Sequence, residues 1–165
     1  MTGVKVDLSS TDLARIERTV MTMVRCAEDW LPLWPTAGKW YAHRQRRIYE
    51  TGSYGRWTPL RASTVQRKRR EGQTANRPLV ETGLLMRSLT SETPRAKGKR
   101  YVVFGGSPPA PPYYRWHVKG TGRLPIRNPV PRLSPAERVD LARALHDEFV
   151  KRALSGEQPV GRLGA

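Results

Sequence analysis

Three histidines, one cysteine and fourteen carboxylates are the side chains with which this chain could do chemistry. A structural zinc site needs closely spaced thiolates and imidazoles. His43, His117 and His146 are far apart, and Cys26 has no second sulfur, so the sequence predicts no metal site. Ser88, His117 and Asp140 supply, on paper, a nucleophile, a base and an orienting acid. Nothing in their spacing orders them, and His117 beside Trp116 reads as part of a structural strand and turn. Asp140, Asp147 and Glu148 alternate with Arg138, Arg143 and Lys151 on one stretch, the pattern of ion pairs along a solvated helix. Gly120-Thr121-Gly122 lacks the strand–turn–helix setting that turns glycines into a phosphate cradle. The reading is a protein without catalytic residues, metal or cofactor, and so no enzyme.

The charge carries more information. Thirty Lys and Arg face fourteen Asp and Glu, a net charge of +16 over 165 residues. Such an excess describes partners more than fold. Polyanionic DNA is the first candidate and an acidic protein surface the second. The cations are spread over Arg44–Arg47, Arg67–Arg70, Arg95–Arg100 and Arg123–Arg132, whereas a dedicated DNA reader concentrates them on one recognition element. Hydrophobic residues make up 38 %, with 14 Pro and 14 Gly, enough for a modest core with extended loops. No apolar run approaches the roughly 20 residues that cross a bilayer, and the start is not a signal peptide. Cys26 reads as a buried thiol on a helix.

The elements that must position these residues follow from periodicity. Val4, Val6 and Leu8 alternate as a short strand. Ser9 and Asp12 form a capping box, and Leu13, Ile16, Val20, Met23 or Val24, and Ala27 recur at helical spacing, predicting an amphipathic helix over 10–29. Pro32 and Pro35 break it, and a second helix spans 36–51, with Trp40, Arg44 and Ile48 on one face and Gly52, Ser53 and Gly55 at its end. Trp30, Trp34, Trp40 and Trp57 are near enough in sequence for one aromatic cluster in the core. Strands are expected at 88–93 and 101–104, joined by a basic hairpin loop over 94–100, and again at 113–118. Residues 107–112 are too Pro-rich for a ladder and read as an extended arm. Ser134, Pro135 and Glu137 start a last helix over 135–154, with Val139, Ala142, Leu145 and Phe149 as its inner face. The fold class is α+β: an antiparallel sheet with two N-terminal helices and one C-terminal helix. It forms a single domain over 1–154, and residues 155–165 are a flexible tail.

The chain is organised around Trp57-Thr58-Pro59-Leu60, Thr64, Lys68 and Leu79-Val80-Glu81-Thr82-Gly83-Leu84-Leu85-Met86-Arg87-Ser88. Pro59 holds Thr58 out of the helical region, so Trp57 is presented from a bend. Thr82 can cap a short turn through Leu84, Leu85 and Arg87, with Gly83 allowing the tight approach. The structural anchor is therefore Trp57, Pro59, Leu60, Leu79, Thr82, Gly83 and Leu85. This ordered set resembles the phage virion-morphogenesis family, the tail-completion and neck proteins of Mu-like and related tailed phages. The resemblance continues through Val102-Val103-Phe104-Gly105, Tyr114-x-x-His117-x-x-Gly120 and Pro125-Ile126-Arg127. It covers about two-thirds of the chain.

The resemblance implies a structural virion protein, a neck or tail-completion subunit assembled as a homo-oligomeric ring, with a tail terminator as the neighbouring alternative. Six copies, contacts with connector and tail proteins, a place at the head–tail junction and a host-cytoplasmic assembly stage are expectations of the same kind. Packaged double-stranded DNA, bound without sequence specificity, fits the charge. Arg67, Lys68, Arg69 and Arg70, with Arg95, Lys97, Lys99 and Arg100, are the candidate subunit or DNA contacts, and the hairpin loop and Pro-rich arm are expected to reach neighbouring subunits. A basic nucleic-acid-binding module is the alternative from another class. It would bind DNA tightly as a monomer.

Overall fold

A computed structural model describes residues 9–73, 77–105, 114–121 and 125–155. The expected strand over 4–8, the arm over 107–112, the tail beyond 155 and the surroundings of the Cys26 thiol lie outside the described residues. The fold is α+β, and among the described residues it comprises six α-helices and one two-stranded antiparallel sheet.

Helix α1 (Ser10–Glu28) begins where Ser9 and Asp12 cap each other, at 3.1 and 3.2 Å. A 3₁₀ turn (Leu31–Leu33) carries the chain into α2 (Trp34–Thr51). That helix starts two residues earlier than the sequence predicts, because a proline in the first turn sacrifices no helical hydrogen bond. Gly52, at φ 62°, closes it. Helix α2 is the axis of the molecule, with Ala37, Ala42, Gln45, Ile48 and Tyr49 all buried. Ile48 and Tyr49 pack with Trp57, Leu85 and Leu89, and Leu79, Val80, Met86 and Val130 close over them.

The tryptophans divide instead of clustering. Trp30 pairs with Trp34 at 5.9 Å, whereas Trp57 meets Tyr49 edge-on at 5.5 Å and Tyr41 stacks on Phe104 at 5.2 Å. Each ring takes the partner that its own bend or helix face brings near.

Two strand predictions are corrected. The hairpin is β1 (Ala96–Gly98) with β2 (Tyr101–Val103), so the first strand lies inside the predicted basic loop. The residues expected to form it belong in part to α4 (Leu84–Leu89), whose Leu85 and Leu89, one turn apart, are both drawn into the core. Residues 113–118 were expected as a strand; instead α5 (Tyr114–Lys119) forms, and Gly120 at φ 71° ends it by donating its N–H to Trp116 O at 2.8 Å. The glycine stop outweighs the β preference of the aromatic run.

Helix α6 (Pro135–Ser155) packs against α1 and α2. Its capping box forms as the sequence predicts: Ser134 N–H donates to Glu137 at 2.8 Å and Glu137 N–H to Ser134 Oγ at 3.2 Å. Its inner face is half the predicted one, keeping Leu145 and Phe149. Val139 and Ala142 are exposed, and Leu141, Leu145, Phe149 and Ala153 turn inward. The cause is polar: Glu137 is held against buried Arg44 of α2, which fixes the rotation of the whole helix.

Gly38 shows how closely α2 is packed. A Cβ there would run into the carbonyl oxygen of Glu92 and lie 3.2 Å from the Phe104 ring. Alanine raises helix propensity by about 1 kcal/mol, but a carbonyl on the main chain cannot move aside as a side chain does. Gly38→Ala is expected to lose about 1–3 kcal/mol net, read as a lower urea midpoint. An unchanged or higher midpoint would show that the 92 segment yields freely.

Candidate functional site

The anchor residues meet around one cleft of about 710 Å³. Its walls are the bend after Trp57, α3 (Ala62–Arg70), residues 79–85 leading into α4, His117 of α5 and Arg127. Pro59, Leu60, Thr64, Lys68, Leu79, Thr82, Gly83 and Leu85 all line it. Trp57 stands behind it in the core, its indole N–H donating to Asn128 O at 3.1 Å.

Two cations hold the cleft together. Lys68, 3 % exposed, donates to the carbonyls of Arg77 at 2.9 Å and Val80 at 2.6 Å. Arg127, 7 % exposed, donates through Nε to Thr58 O at 2.9 Å and through Nη2 to Pro59 O at 3.1 Å. Each therefore staples a loop through main-chain oxygens. Burial pulls the Lys68 ammonium below its ordinary value; Glu81 works against that shift and Arg67 with it. Burial lowers His117 as well, aided by the neighbouring charge of Arg127. Leu79 adopts φ 61°, a conformation uncommon for a side chain of its kind, and is held there beside the carbonyls that Lys68 gathers. Gly83, at φ 74°, is itself the cap of α4; Thr82, predicted for that role, only receives the Leu84 N–H at 3.4 Å.

The candidate contact residues separate into three kinds. Lys68 is buried and drops out as a surface contact. Arg67 is committed to Glu71 and Glu81, both at 2.9 Å. Arg69 and Arg70 are exposed, as are Arg95, Lys97, Lys99 and Arg100 of the hairpin. Ser88 donates its hydroxyl to Leu85 O at 2.9 Å, and Asp140 is exposed on α6, so the structure does not assemble Ser88, His117 and Asp140 as a charge-relay set. Among the described residues no group of three His, Cys, Asp or Glu could hold a metal ion, and no helix is long and apolar enough to cross a membrane.

The sequence also left unassigned which way α1 faces. Leu13, Ile16, Val20, Met23 and Val24 form its apolar stripe, and every one is between 38 % and 53 % exposed. Arg15, Arg18 and Arg25, on the opposite side, line the crevice with Ala153, Leu154 and Ser155 of α6. The helix thus lies on its polar flank. On the hairpin, the register puts Ala96, Gly98, Tyr101 and Val103 on one face, with Tyr101 60 % and Val103 45 % exposed. The Tyr101 ring lies across Gly98, where a Cβ would sit 2.5 Å from it. The hairpin is tied to the joint between α1 and α2 by Trp30 N–H to Lys99 O and Trp34 Nε1 to Gly98 O, both at 2.8 Å. No family model, curated protein or solved structure matches this chain.

Proposed function

We propose that this chain is a structural virion subunit of a tailed bacteriophage, a neck or tail-completion protein that assembles as a homo-oligomeric ring at the head–tail junction. The carrying observation is the α1 stripe. Five large apolar side chains at helical spacing, each about half exposed, form the kind of contiguous patch that marks an interaction site. A chain that lays a helix on its polar flank leaves its apolar surface for a neighbour to cover. The resemblance of the anchor residues to the virion-morphogenesis family supplies the ring and its place, and the tail terminator is the neighbouring assignment. The cleft is the internal fastening of the subunit: Lys68 and Arg127 hold three loops so that the surfaces keep their relative positions.

A monomeric nucleic-acid-binding module is the competing reading, favoured by the exposed cations at 69–70 and on the hairpin. Salt separates the two. Six copies at +16 each carry +96, a repulsion that must be screened or neutralised for a ring to close. Raising salt shortens the Debye length, about 8–10 Å near physiological ionic strength, and should promote assembly in light scattering. Attraction to duplex DNA should weaken over the same range, because each neutralised phosphate releases counterions on binding. Replacing Arg69 and Arg70 by Gln should ease assembly at low salt. A protein that stays monomeric at every salt concentration while binding a DNA duplex at nanomolar concentration would overturn the ring reading.

A further inference from the structure

The rim of the α1 stripe is acidic. Asp12, Glu17 and Glu28 flank it, all exposed, in a chain with twice as many cations as anions. Asp12 is held ionised by its hydrogen bonds with Ser9. A second α1 stripe would bring no cation to these carboxylates, since Arg15, Arg18 and Arg25 lie on the opposite side of the helix. The stripe is shaped for an apolar surface with a basic rim. The hairpin supplies one: Tyr101 and Val103 present an exposed apolar platform, with Arg95 leading into it and Lys99 and Arg100 at its turn.

We infer that the α1 stripe of one copy docks on the hairpin platform of the next. The contact is head-to-tail, apolar at its centre, with Glu17 and Glu28, on one edge of the stripe, facing Arg95 and Arg100 of the hairpin. Such a heterologous contact leaves one unused patch at each end of a growing assembly, so it closes only as a ring. The inference rests on the ring reading and specifies its interface. It also gives the exposed hairpin cations a protein partner.

Two variants test it. Ile16→Gln with Val20→Gln removes the stripe, and Tyr101→Ser with Val103→Ser removes the platform. All four positions are exposed, so both variants should keep the wild-type circular dichroism spectrum. Alone, each should self-associate about 30-fold more weakly, from the loss of two central apolar contacts. Mixed in equal amounts, they should form a one-to-one complex that stops at two copies, since one intact stripe then meets one intact platform. A separate pair of charge reversals checks the rim: Glu17→Lys with Glu28→Lys should weaken assembly, and adding Arg95→Glu with Arg100→Glu should restore it. If the platform variant assembles like the wild type and no mixed pair forms, the inference is overturned and stripes pair with each other. If wild-type protein assembles but no variant changes it, the two patches are wrong and the ring stands. If wild-type protein never assembles, the ring reading and this interface fall together.

Discussion

Trp57→Ala should melt about 10 °C below the parent protein. Trp57 is 7 % exposed, meets Tyr49 edge-on at 5.5 Å and donates its indole N–H to Asn128 O. Truncation to alanine removes the largest side chain of the core cluster and leaves a cavity against Ile48, Leu85 and Leu89. Such truncations cost about 3–5 kcal/mol, and in a domain of this size each kcal/mol lowers the midpoint by about 2–4 °C. The Asn128 carbonyl also loses its donor, so Trp57→Phe should recover most of the packing but not all of the stability. Because Asn128 adjoins Arg127, loosening at Trp57 should spread to the cleft and raise hydrogen exchange at Thr58 and Leu60. A midpoint unmoved by Trp57→Ala would show that the cluster is not the centre of the fold.

Arg44→Met should be nearly as damaging, for an electrostatic reason. Arg44 is buried in α2 and donates through Nε to Glu137 at 2.8 Å and through Nη2 to Pro131 O at 3.0 Å. Removing one partner of a buried pair strands the other and costs about 3–5 kcal/mol. Adding Glu137→Gln removes the stranded charge while keeping a side chain able to complete the capping box, so the double variant should be more stable than Arg44→Met alone. Burial by itself would raise the Glu137 carboxyl, but hydrogen bonds from Arg44, the Ser134 N–H and Tyr54 outweigh it and hold it down to about 2. A carboxyl depressed on folding stabilises the fold fully above the unfolded value, here 4.5, and that contribution fades as pH falls toward 2. The melting difference between parent and Arg44→Met should therefore be largest near neutral pH and shrink between about pH 4.5 and 2. A difference that stays constant across this range would mean that the pair contributes packing alone.

Signals in the sequence are legible where they are local in physics. Ser9 with Asp12 and Ser134 with Glu137 mark helix starts because a cap joins residues three apart and owes nothing to the rest of the chain. The stop at Gly52 is of the same kind. Errors arose where distant contacts decide. Leu89 alternates like a strand residue but lies one turn after Leu85 in a helix, and the face of α6 was set by Arg44, ninety-three residues before Glu137. Arg44 one turn before Ile48 on an apolar face was the legible sign of a buried pair. The anchor residues were legible as an ordered set, and they do line one cleft. Lys68 has the sequence setting of a surface residue, a lysine among arginines, and only the fold brings the carbonyls of Arg77 and Val80 around it. Periodicity marked the apolar side of α1 but is silent on what covers it.

The hydrogen bonds from Trp30 and Trp34 to the hairpin turn give the molecule a fixed corner. They join the end of α1, the start of α2 and the hairpin, so the α1 stripe and the hairpin platform are set at one angle. In a head-to-tail assembly that angle is the rotation from each copy to the next, and the rotation alone decides how many copies make a full circle. The circumference of the assembly would thus be encoded in two 2.8 Å contacts inside a single subunit, and a small change at this corner would be multiplied around the ring into a different number of copies or an open spiral.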